Sequence, residues 1–184
     1  MNLQVYRPVD LAISFAHATS TIVIGWLLLG LIPAGLFSLG FLIGLVLWLS
    51  HPSLPTFRSI RVPYFVTLAL FVVHKVEERT WGFFPALSKL TGVSIAENVG
   101  PLGILLYMLA AAWLLAPWLL SQQKPLGGYF AWSFFASMGV TELAHFIFPL
   151  FATKRYGYFP GMLSVVALAP AAWWGMRRLL SVAK

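Results

Sequence analysis

The sequence predicts an all-α, polytopic transmembrane helical bundle, a single transmembrane domain over residues 1–184, and three observations carry that expectation. Hydrophobic residues make up 60% of the chain and charged residues 9%, where a soluble domain is about a quarter charged. The mean hydropathy is +0.86. Long runs without Asp, Glu, Lys or Arg are separated by short segments that collect prolines and basic residues. At roughly 20 residues per crossing of a hydrocarbon core about 30 Å thick, the chain has room for about six spans.

The first two spans, at about 11–31 and 35–50, come from one uncharged run, Leu11 to Ser50. As a single helix at about 1.5 Å per residue it would be about 60 Å long, twice the membrane. It therefore folds in two, most plausibly around Leu31-Ile32-Pro33-Ala34-Gly35, where proline cannot extend the hydrogen-bond ladder and glycine accepts turn geometry. The segment before it holds Arg7 and Asp10 and has no clear small-residue cleavage site, so it reads as a retained first span. His51 to Arg61, with Pro52, Pro55 and Arg58, reads as a polar loop before the third span at about 62–78. Thr80 to Asn98 mixes Trp81, Phe83, Phe84 and Pro85 with Lys89 and Glu97, which suits a short helix lying at the headgroups. The fourth span, 99–120, closes at Ser121-Gln122-Gln123-Lys124-Pro125, and Gly127-Gly128 reads as loop before the fifth, 129–151. The sixth, 160–176, ends in Arg177-Arg178. The glycines at 30, 35, 40 and 44 include small-xxx-small spacings that favour close helix packing. The many Trp and Phe residues read mostly as lipid-facing or as an interfacial belt.

A formal charge of +7 and a pI near 10.1 do not imply nucleic acid, because the basic residues are scattered between apolar runs; membrane anchoring explains them. Absence of cysteine excludes disulfides and thiolate metal ligands, so any metal would rest on His and carboxylates. With both termini cytoplasmic, that side holds Arg7, Arg58, Arg61, Lys124, Arg177, Arg178 and Lys184, against Lys75, Arg79, Lys89, Lys154 and Arg155 opposite.

The chemistry gathers at His74-Lys75-Val76-Glu77-Glu78, which follows directly on the apolar run Val62 to Val73. Ionisable groups at such a depth are costly and point to function. Alternating spans bring the end of the third, the start of the fourth, the end of the fifth and the start of the sixth into one leaflet. Those ends carry His74, Glu77 and Glu78; Glu97 and Asn98; Thr141, Glu142 and His145; and Tyr156, Tyr158 and Pro160. His74 meets Glu77 and Glu78 at i+3 and i+4, and Glu142 meets His145 at i+3, so each of two helices offers an imidazole and a carboxylate from one face. Carboxylate–imidazole pairs suit acid–base work, and the same inventory suits a helical metal centre of His and Glu ligands. The ordinary reading is that Lys75, Arg79, Lys89, Lys154 and Arg155 neutralise these carboxylates as interfacial ion pairs. His17, within a patch of hydroxyl residues in the opposite half of the membrane, reads as an interhelical hydrogen bond, and His51 as a loop residue without a partner.

At these residues the chain resembles the HXXEE family of small bacterial integral membrane proteins. The likeness runs through the pentad His74 to Glu78, Asn98 at the head of the next span, Ala144-His145 late in a helix, and the aromatic-Pro-Gly turn Tyr158-Phe159-Pro160-Gly161. The resemblance implies a bacterial plasma-membrane protein and a site at these positions without naming a reaction. A looser similarity, in intramembrane His and Glu on a compact bundle, is to the EXPERA-type sterol isomerases.

The leading functional expectation is an integral membrane enzyme that isomerises or cyclises a small lipophilic, isoprenoid- or lipid-like substrate by acid–base catalysis without a cofactor. His74, Glu77, Glu78, Glu142 and His145 are the catalytic candidates, and Asn98, Tyr158 and Glu97 the substrate-binding ones. The alternatives are a metalloenzyme holding zinc, iron or manganese on His74, Glu77, Glu78, Glu142 and His145, and a proton-coupled transporter or lipid-binding protein. Expected partners are the substrate, membrane lipids and a second copy of the chain, not nucleic acid.

Overall fold

The computed structural model describes residues 6–93, 100–151 and 155–182. They are all-α: α1 (Pro8–Leu29), α2 (Leu31–Ser50), α3 (Phe57–Thr80), α4 (Phe83–Thr91), α5 (Pro101–Ala111), α6 (Ala116–Ser121), α7 (Pro125–Gly139), α8 (Ala144–Ile147) and α9 (Met162–Val182). A 3-10 turn joins α5 to α6, and two more flank α8. Among the described residues five segments are long and apolar enough to cross a membrane: Pro8–Leu29, Pro33–Ser50, Phe57–Thr80, Gly103–Ser121 and Pro125–Phe151. The chain is an integral membrane protein. The expected sixth span corresponds to α9, which is long enough at 21 residues but is not among those five. It runs on through Arg177 and Arg178 to Val182, and Trp173, Trp174 and Pro170 dilute its apolar run. It packs along α3 and α7 all the same.

The first two spans part at Gly30, not at Pro33. Gly30 takes φ +81°, in the left-handed region open to glycine, while Pro33 sits in the first turn of α2, where a helix has no backbone donor to lose. Gly127 and Gly128 lie inside α7 as buried residues, which corrects their reading as loop. A short helix does follow the third span, as α4.

The middle of the bundle is α7, whose residues Gly127 to Gly139 are all buried; a helix enclosed on every side belongs to a core, not a lipid-facing surface. It runs antiparallel to α2, and Gly40 and Gly44 are what bring the two backbones together. A Cβ at Gly40 would strike the backbone of Ser137, and one at Gly44 that of Ser133. The small-xxx-small pattern is thus matched by a second, Ser133 and Ser137, on the facing helix. Phe41, Trp48, Trp113, Trp132, Phe134 and Phe135 fill the core around it. Many of the aromatics expected at the lipid face are therefore interior, whereas Trp26, Trp81 and Trp118 are exposed.

Polar side chains from neighbouring helices take up backbone groups where helices are interrupted, as a dry environment requires. Pro117 has no N–H for the Trp113 carbonyl; the ladder tightens there, and the Tyr64 hydroxyl donates to that oxygen at 2.9 Å. His17 Nε2–H donates to the Leu109 carbonyl at 2.9 Å and Nδ1 accepts from the Tyr129 hydroxyl at 2.8 Å, the interhelical role expected of it. His51 does have a partner, its Nδ1–H donating to the Leu47 carbonyl at the end of α2.

Gly44→Ala and Gly40→Ala should each lower stability by about 1–3 kcal/mol through overpacking against α7. Gly35→Ala, with open space around its Cβ position, should be neutral or slightly stabilising. Thermal unfolding of the three variants in detergent micelles separates these outcomes.

Candidate functional site

Three elements meet in one layer: the last turns of α3, the broken segment after α7, and the turn that opens α9. The α7 helix stops at Gly139, and Thr141–Leu143 continues as a 3-10 turn before α8. Residues three apart nearly eclipse in 3-10 geometry, which suits Glu142 and His145 to a shared target. From α3, one turn of α-helix separates His74 and Glu78.

All four of these side chains are buried, His74 completely. His74 Nε2 lies 3.1 Å from Glu142 Oε2 and 3.3 Å from Glu78 Oε1. His145 Nε2 lies 3.2 Å from the same Glu142 oxygen and 3.3 Å from the same Glu78 oxygen. One ligand-type atom from each residue thus falls within 4.8 Å of all the others. The four N···O separations are near the roughly 3.3–3.4 Å expected of donors about 2.0–2.1 Å from a tetrahedral centre, while the N···N and O···O pairs are bounded by the wider 4.8 Å.

The second nitrogen of each ring decides what these contacts mean. His145 Nδ1 faces the Pro160 carbonyl, which only accepts, so Nδ1 carries the proton. His74 Nδ1 lies 2.8 Å from Ser164 Oγ, which also lies 3.2 Å from the Gly161 carbonyl; when the hydroxyl donates to that carbonyl, Nδ1 is the donor to Ser164. In that arrangement both neutral imidazoles turn an Nε2 lone pair toward two carboxylates. Four acceptors facing one another in a dry site repel unless positive charge lies among them, either a proton on each Nε2 or a cation between the four. A ring N–H held by a carbonyl or hydroxyl is the usual outer support of a metal-binding histidine.

Lys75 completes the ionic arrangement from outside. Its ammonium is 2.6 Å from Glu78 Oε2 and 3.8 Å from Glu142 Oε1, so each carboxylate points one oxygen inward and the other toward Lys75. Phe83 of α4 packs tilted against His145 at 5.1 Å between ring centroids, and Phe148 and Phe159 close around the same ring. On the bundle side a cavity of about 410 Å³ reaches Lys75, Glu78, Glu142 and His145. Its other walls are largely apolar, among them Leu28, Phe37, Phe41, Phe71 and Trp113. Ser137 also lines it, with a buried hydroxyl that has no hydrogen-bond partner among the described residues.

Glu77 stands apart from the four. Its carboxylate accepts from the backbone N–H groups of Gly161 at 3.2 Å, Leu163 at 3.1 Å and Ser164 at 2.7 Å, and from the Tyr158 hydroxyl at 2.6 Å. It caps the N-terminus of α9 from a different helix, where unpaired amides and the helix dipole favour an anion. Tyr158, expected to orient substrate, belongs to this cap. Loss of solvent around its hydroxyl and the bond to Glu77 push the Tyr158 phenol up to about 12, so it stays a donor at ordinary pH. Glu97 and Asn98 lie outside the described residues. Sequence reasoning took Lys75 only as a neutralising cation and missed Ser164, Pro160 and Gly161 as supports of the imidazoles. Gly161, at φ +99°, packs so tightly on the rings of His145 and His74 that a Cβ there would overlap both. The Pro-Gly pair was the available signal.

No family model, curated protein or solved structure matches the chain. What stands is a buried cluster of His74, Glu78, Glu142 and His145 in a helical membrane bundle, without a family assignment.

Glu77→Ala should loosen the start of α9 and cost about 1–3 kcal/mol, the usual range for buried donors left unpaired. Hydrogen exchange should show the amides of Gly161, Leu163 and Ser164 losing protection, with the α2–α7 contact unchanged.

Proposed function

We propose that the protein is an integral membrane metalloenzyme that holds one divalent cation on His74, Glu78, Glu142 and His145 and acts on a small lipophilic substrate in the adjoining cavity. The observation that carries this reading is the pair of Nδ1–H donors committed to Pro160 and Ser164, which leaves two Nε2 lone pairs and two carboxylate oxygens aimed at one point. An imidazole and carboxylate set without thiolate suits zinc, iron or manganese. With four protein donors already around it, a cation bound there would polarise a substrate oxygen or water only by accepting a further ligand from the cavity. Ser164 and Pro160 would hold the rings, Lys75 the outer carboxylate oxygens, and Phe83, Phe148 and Phe159 would keep bulk water away.

The same distances support a second reading, acid–base isomerisation or cyclisation, in which both imidazoles are protonated and exchange protons with Glu78 and Glu142. It ranks lower because Glu77, one of the carboxylates it would draw on, is committed to the α9 cap. A proton-coupled carrier draws little support, since His17, the histidine in the opposite half of the bundle, is fully bonded to Tyr129 and Leu109. The bacterial plasma membrane, with both termini cytoplasmic, is the setting that goes with this reading. It rests on the resemblance and on the basic loops.

Elemental analysis of protein purified without chelator and reconstituted with zinc should find one metal ion per chain. Ser164→Ala should weaken metal binding by about 10–100-fold, the usual effect of losing an outer support, and His145→Ala or Glu142→Ala should weaken it more. Wild-type protein that takes up no stoichiometric metal would sink the metal reading, and turnover that survives chelation would favour the acid–base one.

A further inference from the structure

The cavity that meets the cluster has one polar end and otherwise mainly apolar walls, and its charge is unbalanced once the site is filled. Glu78 and Glu142 bring two negative charges and Lys75 one positive. A divalent cation on the four inner donors, the reading proposed above and the one this inference rests on, leaves the polar end with one net positive charge. Uncompensated charge buried at membrane depth is costly, so the filled site favours a monoanion over a neutral or cationic ligand. Lys75 is the ammonium or guanidinium group among the cavity's described lining residues. One of its three N–H donors is taken by Glu78 at 2.6 Å, while Glu142 at 3.8 Å is beyond hydrogen-bond range. Donors therefore remain beside the cluster on the cavity wall. The volume, about 410 Å³, is near the lower end of the roughly 300–1,000 Å³ usual for ligand pockets, which suits one chain or a compact ring system.

We propose that the cavity binds a single-chain amphiphile with a carboxylate head, the head lying between Lys75 and the metal centre and the chain running along Phe71, Phe37 and Phe41. A phosphate monoester, as a dianion, would overshoot the charge balance.

Equilibrium binding to zinc-loaded protein in phosphatidylcholine nanodiscs, corrected with empty discs and with metal content measured on each sample, tests this with dodecanoate, dodecanol, dodecyl phosphate and dodecyltrimethylammonium. Dodecanoate should bind saturably, one per chain, about tenfold or more tighter than dodecanol, the difference expected of a hydrogen bond to a charged group. Zinc removal should abolish that preference. Lys75→Met, loaded at saturating zinc, should lose it, and Lys75→Arg should restore it. With zinc bound, equal binding of dodecanol, tighter binding of dodecyl phosphate or the ammonium compound, or an unaltered preference in Lys75→Met would overturn this inference and leave the metal reading standing. A chain that takes up no zinc overturns both.

Discussion

The candidate site hangs from a single carboxylate that is not part of it. Glu77 of α3 accepts three backbone N–H groups at the open end of α9, donors that have no partner within their own helix. This contact fixes α9 against α3. It thereby fixes the Pro160 carbonyl, the Gly161 backbone and the Ser164 hydroxyl against the two imidazoles. The neighbouring glutamate, Glu78, points the other way around the helix, into the cluster. Adjacent carboxylates thus divide the work, one holding the helix and the other facing the charge.

The same logic recurs through the bundle. Trp173 Nε1–H donates to the Gly139 carbonyl at 2.7 Å where α7 stops, and Trp48 Nε1–H to the Pro125 carbonyl where it starts. The Trp113 and Gly139 carbonyls, where helices are interrupted, are each met by a side chain from another helix, which helps the irregular segment carrying Glu142 and His145 persist inside the bundle. The close α2–α7 packing through Gly40, Gly44, Ser133 and Ser137 makes the frame on which that segment sits.

Much of the frame was legible in the sequence, because apolar runs and their breaks are set by membrane thickness. The layer shared by His74, Glu78, Glu142 and His145 followed from span alternation alone. What stayed hidden depends on side-chain direction. Glu77 and Glu78 are both one turn from His74, and only the position of α9 decides which of them reaches it. The Gly30 break was misplaced because proline is a weaker helix stop in a first turn than glycine with a positive φ. Gly127 and Gly128 read as loop because composition cannot tell a turn from a helix pressed against Leu119, Leu120 and Trp48. The interior aromatics escaped notice for a similar reason, since apolar character does not distinguish lipid from core.

The enclosed position of α7 also bears on assembly. Helix α9 covers the flank of α7 that bears Phe135 and Gly139, and the turn before it supplies the carbonyl that His145 binds. The polar pocket is therefore complete only when α9 has docked on the other helices, so a bundle lacking that docking would retain its spans without a finished cluster.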